Sequence, residues 1–108
     1  MDVRQLAEKL NAEVLCEGDM SREVTGCYIG DLLSWVMSRA QEGDAWLTVM
    51  GNINSIGVAV LADVACIVLT EGAALDADAL NRAVQNGVNI LRVEDNSYIT
   101  AIAVAGSI

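Results

Sequence analysis

The sequence contains no histidine, no proline and no phenylalanine, and its only lysine is Lys9. Without histidine, Ser/His and Cys/His dyads are excluded within one chain, as are histidine-ligated metal sites. Six Lys and Arg stand against 15 Asp and Glu, a net charge of −9. That balance leaves no basic surface to neutralise a nucleic-acid backbone or to hold an anionic membrane, so neither is an expected partner. Aromatic side chains are scarce, two Trp and two Tyr, which argues against base-stacking platforms and leaves the core to Val, Ile, Leu and Ala. Cys16, Cys27 and Cys66 form no C-x-x-C pair. An odd number of cysteines without a secretory signal predicts reduced, mostly buried thiols. The longest apolar tract, Ile56 to Leu69, is broken by Asp63 and is too short to span a bilayer as one helix. Asp2, Arg4 and Glu8 break any apolar leader at the start, and the expected location is the cytoplasm.

What is present is a chain of 108 residues, 54% hydrophobic and free of low-complexity tracts, which predicts a single domain over residues 1–108. Val3, Leu6, Ala7 and Leu10 recur at helical spacing, giving a first amphipathic helix. "AEVLCEGD" and "REVTGCYIGD" read as two extended stretches punctuated by Gly18, Gly26 and Gly30. In "DLLSWVMSRAQEGD" the apolar spacing is helical again, with Asp31 as the expected cap and Gly43 as the expected stop. Strand "AWLTVM", helix "INSIGVAVLADV", strand "ACIVLT", helix "ADALNRAVQNG", strand "ILRV" and helix "SYITAIAVAG" follow. "CIVL" is apolar at every position, as a strand covered on both faces must be, and the intervening helices supply the crossovers that parallel pairing needs. The fold class is α/β, with a mainly parallel sheet flanked by helices. Asp76 is the expected carboxylate cap of the helix that Gly87 ends, and Asp78 adds charge at its positive end. Trp35 is expected on a helix face and Trp46 on a strand face, with one of them incompletely hidden.

Ligands of an open parallel sheet bind beyond the carboxyl ends of the strands. Two segments occupy that position. One is Gly51, Asn52, Asn54 and Ser55, after the strand ending near Met50; the other is Thr70, Glu71 and Gly72, after "CIVL". Both also suit ordinary turns and helix caps. No glycine is followed by Lys and there is no G-x-G, so the Walker and dinucleotide fingerprints are absent. No metal site, cofactor or catalytic motif is indicated.

The stretches "REVTGCYIGD", "LTVMGNINSI" and "IVLTEGAALD", in that order and spacing, resemble the DRTGG domain from about Val3 to Ala105. The resemblance implies an α/β fold like the N-terminal domains of HPr kinase/phosphatase and of the Mur ligases. It also implies a regulatory or assembly role, since such domains occur fused to CBS pairs and within phosphotransacetylases. The family's Asp-Arg and Thr-Gly-Gly positions read here as Asn52, Ile53, Thr70, Glu71 and Gly72, so that only Thr70 and Gly72 match. The first loop is therefore neutral where the family carries an ion pair, and the P-loop half of the HPr enzyme has no counterpart.

The functional expectation is a non-catalytic module that self-associates, as a homodimer in the favoured case, and binds a small polar or anionic ligand, a nucleotide among the candidates, at the strand ends. The apolar segment "YITAIAVAGSI" motivates the self-association. The alternatives are a small phosphoryl- or acyl-transfer enzyme using the Thr70–Gly72 turn, and a protein-interaction subunit with no small ligand.

Overall fold

The computed structural model describes residues 1–108 in full. Helix α1 (Val3–Leu10) leads into β1 (Glu13–Cys16) and β2 (Gly26–Ile29), then α2 (Leu33–Arg39) and β3 (Asp44–Thr48). Next come α3 (Ile53–Ala62), β4 (Cys66–Leu69), α4 (Ala77–Asn86), β5 (Ile90–Arg92) and α5 (Ser97–Ala105). The five strands make one sheet in the order β1-β5-β4-β3-β2. Strands β2 to β5 pair in parallel, and β1 alone runs antiparallel, against β5. The α/β class and the mainly parallel sheet are as the alternation of patterns predicts.

Register fixes what each face carries. Ala45 lies opposite Cys66 and Leu47 opposite Val68, while Trp46 lies opposite Ile67 and Thr48 opposite Leu69. Since alternate residues point to opposite faces, Leu47, Val68 and Leu91 form one core with Val3 and Leu6 of α1 and Val104 of α5. Trp46, Ile67, Leu69 and Ile90 form the other, beneath Val36 of α2, Ile56 and Ala59 of α3, and Ala79 and Ala83 of α4. Strand β4 is buried throughout, which is why "CIVL" shows no polar alternation. Full burial of each large aliphatic side chain contributes about 1.5–3 kcal/mol.

Local chemistry sets the helix ends. In α1, Gln5 N donates to Asp2 Oδ1 at 2.8 Å and Asp2 N donates to Gln5 Oε1 at 3.0 Å, a reciprocal cap. Asn52 and Asn96 cap α3 and α5, accepting from Ser55 N at 3.1 Å and Ile99 N at 3.0 Å. Two expected caps fail. Asp31 does not cap α2, whose N-cap is Leu32 with no side-chain bond; its carboxylate is engaged by the end of β3 instead. Asp76 holds the N-cap position of α4 but its side chain makes no capping bond. Helix α2 also ends at Arg39, where Ala40 turns extended, before Gly43 is reached.

The indoles divide as expected. Trp46 is fully buried and its Nε1 donates to Gly30 O at 2.9 Å, while Trp35 is exposed beneath the Arg39 guanidinium, 3.6 Å from the ring centre. Cys16 and Cys66 are buried, but Cys27 is exposed, because it lies on β2 at the edge of the sheet, where no further strand covers it. No helix is long and apolar enough to cross a membrane.

Candidate functional site

The carboxyl ends of β3 and β4 form a ridge, and most of its polar groups are turned to internal use. At the end of β3, Thr48 is buried; its Oγ1 donates to Asp31 Oδ1 at 2.7 Å and accepts from Met50 N at 3.2 Å. Val49 N donates to the same Asp31 oxygen at 3.0 Å. Ser55, also buried, donates its hydroxyl to Met50 O at 2.6 Å. Gly51 is fixed by close approach: a Cβ there would strike Ala74 O, and Gly51 O accepts from Asp76 N at 2.8 Å.

The second turn is committed more completely. Thr70 is fully buried, with its Oγ1 3.0 Å from Ser97 Oγ. Glu71 and Gly72 both have left-handed backbones, φ 58° and 63°. Glu71 N donates to Asp95 O, Gly72 N to Val93 O and Ala73 N to Thr70 O, at 2.9, 2.9 and 3.0 Å. The first two amides hold the loop that follows β5, the third closes the turn itself, and none is free for a ligand. The Glu94 carboxylate sits over Gly72, where a Cβ would meet it.

What remains open is the start of α3. The amides of Gly51, Asn52, Ile53 and Asn54 donate to nothing within the protein, as the first amides of a helix must unless they are capped. The structure thus brings Gly51, Asn52 and Ser55 together in one turn and stitches that turn to the segment after Gly72 through Asp76. Asn54 points elsewhere, into a depression between α2 and α3. None of the four cavities is lined by Gly51, Asn52, Thr70, Glu71 or Gly72, so the ridge is a shelf and not a pocket. Asp31, Glu71, Asp76, Glu94 and Asp95 belong to the segments that form or touch it. The one arginine at this end, Arg92, is engaged by Glu13 at 2.8 Å and by Ala73 O.

No cluster of three His, Cys, Asp or Glu side chains is placed to hold a metal ion. The thiols are not poised for chemistry. Burial pushes Cys16 up; Cys27 is open to solvent by its surface, yet desolvation by the atoms packed around its thiol, and then the nearby Asp44 carboxylate, push it up to about 11. Cys66 is pushed up to about 12, chiefly by burial. A thiol so raised is almost wholly protonated near neutrality and is a poor nucleophile.

Sequence reasoning missed Asp31 as a member of the ridge, because its partners Thr48 and Val49 lie 17 and 18 residues on. It also missed the crowding at Gly51, for which no local signal exists.

A five-stranded, mostly parallel sheet with helices on both faces, and a helix start at its strand ends whose first amides are free, defines an α/β domain of the open-sheet kind. A family model, the DRTGG domain, matches residues 5–107, and the chain belongs to that family. Among solved structures, the chain is similar to a crystal structure of the CBS and DRTGG domains of the regulatory region of Clostridium perfringens pyrophosphatase, complexed with the activator diadenosine tetraphosphate. The TM-score is 0.79 at 13% identity, over 99% of this chain and 47% of that one. This chain therefore spans about half the length of that relative. No curated protein matches the sequence significantly.

Proposed function

We propose that the protein is a non-catalytic regulatory module whose ligand, small and polar, is held by the free amides of Gly51, Asn52, Ile53 and Asn54. The observation that carries the reading is that these four donors have no partner in the fold and stand where the dipole of α3 favours negative charge. The regulatory character is supported by membership of the DRTGG family and by the similarity to a regulatory region crystallised with a nucleotide activator. The surrounding carboxylates set a limit on the ligand's charge. A compact anion, or one phosphoryl group of a larger molecule, fits the four amides; a polyphosphate lying along the ridge meets Asp76, Glu71 and Glu94.

The catalytic alternative keeps the exposed Glu71 carboxylate but loses the Thr70 hydroxyl and the turn's amides. Thr70 is inaccessible and the Glu71 and Gly72 amides are spent on the loop after β5. Self-association belongs to the same proposal. Helix α5 exposes Tyr98, Ile99 and Ile102 to solvent, and Ile29 on β2 is exposed on the same side of the sheet. A contiguous apolar face at a sheet edge suits an isologous contact between two copies.

A thermal-shift series with phosphate, ATP and diadenosine tetraphosphate tests the ligand. At a hundredfold excess over its dissociation constant, a true ligand adds about 2.7 kcal/mol, a rise of roughly 10 °C or more in a domain of this size. Replacing Asn52 by Pro removes one amide and should abolish the shift. Absence of any shift across the series would leave the interaction-only reading in its place.

A further inference from the structure

Helix α3 lacks something a surface helix needs. Its sequence, INSIGVAVLA, has no charged residue, and it is apolar on the outward face as well as the inward one. Leu61 is 73% exposed and Val60 47%. Such a helix is normally covered on both sides. Two depressions of about 450 and 240 Å³ run along this outward face and share Gly57, Leu61 and Arg82, so that they form one trough between α2 and α4. Leu33 and Met37 make the α2 wall.

Two features of the trough have no use inside the protein. The first is Gly57, in the middle of a ten-residue helix, where glycine weakens the helix relative to alanine. A Cβ at Gly57 would meet nothing within 4 Å, so no internal contact requires its absence. The second is Arg82, the only charged residue lining either depression. It forms no ion pair, although acidic residues far outnumber basic ones, whereas Arg4, Arg22 and Arg92 are each paired.

We propose that the trough along α3 docks an amphipathic helix of a partner protein, one whose apolar stripe is bordered by carboxylates. The apolar stripe covers Met37 and Leu61, the missing Cβ of Gly57 lets the partner approach the α3 backbone, and a carboxylate of the partner takes Arg82. Ten residues of α3 span about 15 Å, room for nearly three turns of a helix seated in the groove. The chain's own exposed apolar helix, α5, carries no carboxylate within its nine residues, so it lacks the acidic border assigned to the partner helix. The surface lies apart from the strand-end amides, and the proposal does not depend on a ligand there.

The test uses two synthetic helical peptides with the same leucine stripe, one bordered by Glu and the other by Lys, titrated into the ¹⁵N-labelled full chain. The Glu peptide is expected to shift the amides of Met37, Gly57 and Leu61, and the Lys peptide to bind at least tenfold more weakly. Arg82→Glu should reverse that preference. Gly57→Ala should raise the melting temperature and yet weaken the Glu peptide, a combination that a damaged fold does not produce. Equal binding of the two peptides, shifts confined to α5, no shift at millimolar peptide, or affinities untouched by both substitutions would each overturn the proposal. So would light scattering showing a dimer that Leu61→Glu converts to a monomer, since the trough would then be covered by a second copy.

Discussion

Replacing Asp31 by alanine tests what this carboxylate does. Asp31 Oδ1 receives Thr48 Oγ1 at 2.7 Å and Val49 N at 3.0 Å, and hydrogen bonds to a charged acceptor contribute about 1.5–3 kcal/mol each when sheltered. Thr48 is buried but Asp31 itself is exposed, so solvent screening brings the expected loss for the pair to about 2 kcal/mol in total. Asp31→Asn keeps an acceptor oxygen and should cost less than about 1 kcal/mol. A helix cap would give a similar figure for alanine, about 1 kcal/mol, so the single variant does not separate the two roles. A double-mutant cycle with Thr48→Val does. If Asp31 ties down the end of β3, the two changes should couple by about 1 kcal/mol or more in urea unfolding, because each removes the other's partner. Coupling below about 0.5 kcal/mol, the additivity expected of independent sites, would refute the reasoning.

Other consequences follow from packing and charge. Trp46→Ala empties a fully buried site and frees Gly30 O, and should cost about 3–5 kcal/mol by chemical denaturation. Gly51→Ala forces a methyl into Ala74 and should destabilise by about 1–3 kcal/mol, opposite in sign to Gly57→Ala. Alkylation of Cys27 should climb about tenfold per pH unit well beyond pH 9, because its thiol is pushed up to about 11; a plateau near pH 9 would contradict that environment. Cys66 is pushed from 9.0 up to about 12. The unfolded chain therefore ionises this thiol first, and stability should fall as pH rises from about 9 towards about 12, which alkaline unfolding curves would register.

The legible parts of this fold were local. Asn52 and Gly87 bound their helices as the sequence suggests, because a cap needs only groups within one turn. The all-apolar "CIVL" announces a central strand without reference to anything else. Asp31 was misread because a carboxylate before a helix has two possible employers, and the one that holds it lies across the sheet. The candidate site was half legible for the same reason. Position at the strand ends follows from topology, but whether an amide there is free depends on where distant carbonyls fall. Those of Asp95 and Val93 take the Glu71 and Gly72 amides, while nothing reaches Gly51 to Asn54. The antiparallel pairing of β1 with β5 left no mark in either segment.

That pairing bears on how the chain assembles. Glu13 of β1 lies opposite Arg92 of β5, so the first strand has no place in the sheet until nearly the whole chain is available. Strands β2, β3 and β4 can each dock on a neighbour close in sequence, whereas β1 must wait for loop closure over most of the chain. Formation of the β1–β5 ladder is then the event that joins the early and late halves. The paired amides of β1 and β5 should exchange with solvent through one shared opening, and weakening the Glu13–Arg92 contact should slow folding more than it speeds unfolding if that closure is already made at the barrier.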